Sequence, residues 1–209
     1  MRLTAGFNLR ITNIVGFLIL FLTSTFSQIS AYATVVEVRT TAGNFTINLF
    51  DNETPLTVAN FLSYVNAGAY ANNTVHRSVD NFVIQMGGYQ YASDFPPTLI
   101  ATGTAVLNEP VLSNVRGTVA MAKISGDPNS ATSQFFVNLS DNASANARLD
   151  TTNGGFTVFG QVIDNGMDVV DQISQLPIFS ADIFFELPLQ NYTSADLANN
   201  VIPDEDNLI

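Results

Sequence analysis

The chain contains no cysteine and a single histidine among its 209 residues. Without thiols there can be no disulfide framework, thiolate nucleophile, zinc finger, iron–sulfur cluster or lipidated cysteine anchor. One histidine excludes a His-rich metal centre. Positive charge is almost as scarce, with 7 Lys and Arg against 18 Asp and Glu and a net charge of −11. A phosphate-backbone binder needs clustered Lys and Arg, so no nucleic-acid partner is expected. Only 12% of residues are charged, yet this is not the signature of disorder: 46% are apolar, and 16 Phe and 6 Tyr can build a core. The length suits one domain with appendages.

Residues 1–33 read as an address rather than as fold. Arg2 and Arg10 are the only charges there, an apolar stretch Ile14–Leu22 follows, and Ala31-Tyr32-Ala33 closes the segment as a small-x-small cleavage site. This is the pattern of a secretory signal peptide. Its apolar core falls well short of the ~20 residues a membrane span needs, so no stable membrane anchor is expected after cleavage. The expected destination is the periplasm, with secretion as the alternative. All acids lie beyond the segment, so the mature chain carries a net −13 and only five cations: Arg39, Arg77, Arg116, Lys123 and Arg148.

Val35–Thr40 alternates and is β-branched, which predicts a strand; Thr41–Asn44 reads as a turn and Phe45–Phe50 as the returning strand. Thr54 before Pro55 predicts a helix start, Val58, Phe61, Leu62 and Val65 recur at helical spacing, and Gly68 is the predicted stop. Short apolar runs follow at 82–86, 117–122, 135–139 and 156–163, and a second helix is predicted over 167–175. Many short strands and two helices indicate an antiparallel β domain. The long loops 87–115 and 140–155 are candidate binding surfaces. The predicted organisation is a signal at 1–33, a domain at 34–177 and an acidic extension at 178–209 that includes a closing strand.

Three groups of motifs stand in order: Val75-His76-Arg77 with Phe82 and Gln85-Met86-Gly87-Gly88; Arg116-Gly117-Thr118 with Ala120-Met121-Ala122 and Ser133-Gln134-Phe135-Phe136-Val137-Asn138; and Leu149 with Val158-Phe159-Gly160-Gln161-Val162. Together they resemble the cyclophilin family of peptidyl-prolyl cis-trans isomerases, whose patterns are FHR-x-x-x-x-F-x-x-QGG, RGT-x-AMA, SQFF-x-N and VFG-x-V, and especially its exported bacterial members. The resemblance implies a mainly β fold, a closed eight-stranded antiparallel β-barrel capped by two α-helices, with the substrate groove outside the barrel.

It also implies proline-containing polypeptide clients, no cofactor, no metal and a monomer. Arg77 is the expected catalytic residue. Phe82, Val83, Phe136 and Leu149 are the expected proline seat, with Phe156 at its rim. Gln85 would orient Arg77 or bind a substrate carbonyl, Gln134 would do similar work, and the backbone of Ala122 together with Lys123 would hold residues beside the proline. Phe135 and Phe136, adjacent on a strand, should face opposite ways; the resemblance assigns Phe136 to the groove. The alternative function is a peptide-binding or chaperone module with little catalysis.

The sequence departs from the family pattern at Val83, where Met is usual, at Met86 in place of the first Gly of QGG, at Lys123 in place of Asn, and at Arg148, where many members carry an aromatic that helps hold cyclosporin. Weak cyclosporin binding is therefore expected: direct titration should give a Kd above ~1 μM, a binding free energy weaker than about −8 kcal/mol. The alternation of His76, Ser78 and Asp80 does not orient a proton relay, and no G-x-S-x-G is present. The acidic runs 164–168 and 204–206 lack the full calcium-loop pattern.

Overall fold

The computed structural model describes residues 33–143 and 148–209; the predicted signal segment lies outside them, apart from Ala33. The chain runs β1 (Val35–Thr40), β2 (Gly43–Leu49), α1 (Pro55–Asn66), β3 (Arg77–Val79), β4 (Val83–Met86), β5 (Tyr89–Gln90), β6 (Thr98–Leu99), β7 (Thr118–Met121), β8 (Phe135–Asn138), β9 (Val158–Ile163), α2 (Gly166–Ser174), β10 (Ile178–Ala181), β11 (Phe184–Pro188) and α3 (Ser194–Ala198).

Seven strands form one antiparallel sheet in the order β1-β2-β9-β7-β8-β4-β3. The expected closed eight-stranded barrel is not formed. The sheet is an open, curled half-barrel, and among the described residues neither edge strand, β1 or β3, has a second strand neighbour. Closure needs every edge to be paired, but β10 and β11 pair with each other as a separate hairpin. Beside the open edge β1 lies a cavity of about 300 Å³ lined by Val36, Val38, Val65, Met86 and Ile209 among others. The Ile209 carbonyl accepts from the Val75 N–H there.

Strand alternation sorts the sheet into two apolar faces. Phe45, Ile47, Ile84, Met86, Val119, Met121, Phe135 and Val137 join Val58 and Phe61 of α1 and Val170 and Ile173 of α2 in the main core. The intervening residues Val83, Ala120, Phe136 and Val158 form a second cluster on the opposite face. Residues 178–209 add a third, in which Phe179, Phe184, Leu187, Leu189, Tyr192 and Leu208 pack with Tyr89, Tyr91 and Phe95.

Thr54 does precede Pro55 at the start of α1, but its side chain makes no cap. The Glu109 carboxylate does so instead, accepting from the Leu56 and Thr57 N–H groups at 3.3 and 2.8 Å and from the Thr57 hydroxyl at 2.8 Å. A negative charge there meets two orphan donors and the positive end of the helix dipole. Glu109→Ala should cost about 1–2 kcal/mol; an unchanged urea midpoint would show that the cap contributes nothing.

Candidate functional site

The site is built on the sheet face away from the main core. Residues directly opposite one another on paired strands share a face. Arg77 lies opposite Gln85, Gln85 opposite Phe136, Phe136 opposite Ala120, and Ala120 opposite Val158. One row across five strands therefore places a cation, an amide and an apolar floor side by side. Val83, Phe136 and Leu149 are buried in the second cluster, and Phe82, Ala122 and Phe156 pack against it half-buried. The rings of Phe136 and Phe156 meet edge-on at 5.8 Å. Phe135 points into the main core, as the alternation requires.

Arg77 is half-exposed at the margin of this cluster. Its Cζ lies 5.8 Å from the Phe82 ring centroid, within cation–π range. Its Nε donates to Glu186 Oε2 at 2.6 Å. Gln85 Nε2 donates to Gln134 Oε1 at 2.8 Å, so the two amides orient each other. The Ala122 N–H donates to the Gln134 carbonyl, which leaves recognition by Ala122 to its own carbonyl. Lys123 is committed to the loop beside it. Its Nζ donates to the Asn153 and Gly155 carbonyls at 2.8 and 2.6 Å and sits 4.6 Å from the Phe156 ring centroid. Desolvation there pushes its ammonium below the ordinary lysine range. Lys123 thus holds the rim residue in place.

Three buried asparagines outside the expected site set its floor. Asn142 Nδ2 donates to the Phe82 carbonyl and to Asn138 Oδ1, both at 2.8 Å, and the Asn142 carbonyl accepts from the Leu149 N–H. Asn138 Nδ2 donates to Thr118 Oγ1 at 2.9 Å. Asn114 Nδ2 donates to the Phe156 carbonyl and to Asp150 Oδ1, both at 3.0 Å. The network fixes the backbone at Phe82, Leu149 and Phe156, and its members are too satisfied to shift cheaply. Only Asn138 carried a sequence signal, as the last residue of the SQFF-x-N motif.

The Met86 departure is absorbed by the strand. Met86 ends β4 with its side chain in the main core, and the turn begins at Gly87, where φ is +86°. A Cβ on Gly87 would lie 2.6 Å from the Ser133 carbonyl oxygen, so glycine is required there.

His76, next to Arg77, turns away from this face and meets the Tyr89 ring edge-on at 4.9 Å. Burial, with the Arg77 charge adding to it, lowers its pKa from 6.5 to about 4. The folded state therefore binds fewer protons than the unfolded chain between these values. This stability is fully present above about pH 6.5 and is lost as pH falls toward 4, with about 2 kcal/mol gone at pH 5. Denaturant titrations at pH 7 and pH 5 should show the loss, and His76→Gln should flatten it.

Residues 35–191 match the family described as cyclophilin type peptidyl-prolyl cis-trans isomerase. The chain belongs to the cyclophilin family. A peptidyl-prolyl cis-trans isomerase of Acinetobacter baylyi is 42% identical over 167 residues, spanning 78% of this chain and 85% of the relative. Peptidyl-prolyl cis-trans isomerase A of Dickeya dadantii is 43% identical over 148 residues, spanning 69% and 73%. A crystal structure of a Cryptosporidium parvum cyclophilin in the presence of the dipeptide Ala-Pro superposes with a TM-score of 0.56 at 27% identity, covering 74% of this chain and 91% of that one. Membership carries the family's enzymatic activity, isomerisation about X–Pro bonds. In this cyclophilin the matched region runs through the β10–β11 hairpin, past the boundary expected at residue 177. Among the described residues no helix is long and apolar enough to cross a membrane, and no three His, Asp or Glu side chains converge to hold a metal ion.

Proposed function

We propose that this cyclophilin isomerises X–Pro bonds in exported proteins, with Arg77 donating a hydrogen bond to the prolyl nitrogen as the amide twists. Resonance holds a planar prolyl amide behind a barrier of ~18–20 kcal/mol. Turnover at ~10–10³ s⁻¹ requires roughly 13–16 kcal/mol. The protein must therefore remove about 2–7 kcal/mol, and no bond needs to break. In the twisted state the nitrogen lone pair is no longer delocalised and becomes an acceptor. A fixed cationic donor then binds that state better than either planar one, which is catalysis by differential binding.

The observation that carries the reading is the placement of Arg77 beside an apolar cluster that is separate from the core. Phe82, Val83, Phe136 and Leu149 seat the proline ring and Phe156 rims it. Arg116 is spent elsewhere, on the Leu139 carbonyl and Asp171, and Arg39 on Glu37. Exchange on a proline peptide tests the reading, with Arg77→Ala as its control. Peptide binding without accelerated exchange would select the chaperone alternative.

Export is the second part of the proposal, with the periplasm as destination. Thr34 supports it: its backbone nitrogen donates to Asp51 Oδ2 and its hydroxyl to Asp51 Oδ1, both at 2.8 Å. Cleavage after Ala33 would turn that nitrogen into an ammonium already facing a carboxylate. Intact mass of the exported protein should correspond to a chain beginning at Thr34; a mass retaining residues 1–33 would remove this part.

A further inference from the structure

We infer that Glu186, on the C-terminal hairpin, is the positioning residue for Arg77. The inference rests on Arg77 being the donor to the prolyl nitrogen. Three ion pairs are seen among the described residues. Arg39 and Glu37 form a local, exposed pair on one strand, and Arg116 with Asp171 fastens the start of β7 to α2. Arg77 and Glu186 differ in kind, because their bond joins β3 of the site to β11 across 109 residues of sequence.

An arginine side chain has five donors on a long, rotamer-rich stem. With the side chains of Arg77 and Glu186 36% and 40% exposed, the Coulombic gain of the pair is small. What the pair supplies is orientation. Its carboxylate takes Nε at 2.6 Å while the Phe82 ring lies 5.8 Å from Cζ. Two contacts of different kinds define the guanidinium plane and leave the terminal NH₂ groups for a substrate. Holding a reacting group ready in this way lowers a barrier without tightening ground-state binding.

Glu186 is itself held. Its neighbour Leu187 is fully buried, and Phe184 and Phe179 of the hairpin lie in the third apolar cluster. The hairpin therefore presents Glu186 from a packed base, and the acidic extension serves the site through this one carboxylate.

The test is Glu186→Gln, which keeps shape and removes charge, beside Glu186→Asp and Arg77→Ala. Exchange of a proline-containing tetrapeptide is followed by NMR, with the Arg77 Nε–H signal as a second readout. Glu186→Gln should lower kcat by about tenfold with KM within about twofold, and the Arg77 Nε–H should lose its protection from solvent exchange. Glu186→Asp should recover part of both. A Glu186→Gln protein with kcat within about twofold of wild type overturns the inference, as does a kcat loss that leaves the Nε–H protection unchanged. Arg77→Ala inactive beside fully active Glu186→Gln removes this inference alone. Arg77→Ala as active as wild type removes the donor reading and this inference together.

Discussion

Arg77→Ala is expected to reduce kcat/KM for X–Pro exchange by about 10²–10³, the usual loss when one preorganised donor to a transition state is removed, or roughly 2.7–4 kcal/mol. That is comparable with the barrier lowering the reaction requires, about 2–7 kcal/mol. The remainder is expected from the apolar cluster proposed to seat the proline, which the substitution leaves in place. The loss should therefore fall on kcat, with KM little changed. Arg77→Lys should lie between the two. It keeps a cation over Phe82 but has no Nε to give Glu186 and no planar fork. Exchange rates measured over a range of peptide concentration separate the two constants. Wild-type kcat in Arg77→Ala would refute the assignment, because no other cation among the described residues is placed in the row with Gln85 and Phe136.

Phe136→Ala is expected to cost about 3–5 kcal/mol of stability, the range for removing a buried phenylalanine. Phe136 is 4% exposed and packs on Val83, Ala120, Leu149, Val158 and the Phe156 ring. The same substitution takes the floor from the proline seat, so the fraction that remains folded should show a raised KM. Phe135→Ala is the matched comparison. Phe135 is 3% exposed and contacts Phe61 and Phe159 in the main core. Its loss should destabilise by a similar amount while leaving KM near wild type at temperatures where the protein is folded. Urea titration and peptide kinetics on both variants decide the matter; equal KM shifts would show that the two faces of β8 are not functionally distinct.

These two neighbours also show what kind of information the sequence carries. That Phe135 and Phe136 face opposite ways follows from the pleat alone. Which of them faces the groove does not; the resemblance assigns Phe136, and the structure puts Phe136 in the second cluster and Phe135 in the main core. The bounds of β1 were readable from six alternating residues, and those of α2 to within one residue from its apolar spacing. The N-cap of α1 was only half readable. Thr54 has the right type in the right place, yet the groups that need capping are met by Glu109, which arrives from a loop more than fifty residues on. The Lys123 ammonium meets two carbonyls and the Phe156 ring, partners that no local pattern announces.

Strand and helix positions, the family motifs and the shortage of cations are all properties of short stretches. They rest on backbone geometry and on side-chain periods of 2 and 3.6 residues, and so are written within a few neighbours of each residue. Whether the sheet closes, which carboxylate Arg77 meets, and how Asn114, Asn138 and Asn142 lock the floor of the groove were settled only in the folded chain. Each depends on segments far apart in sequence arriving at hydrogen-bonding distance, and on competition between pairings of similar energy. The extension could have given a strand to the open edge. In the structure its strands pair with each other, its apolar side chains pack on Tyr89 and Phe95, and its Glu186 carboxylate accepts from Arg77.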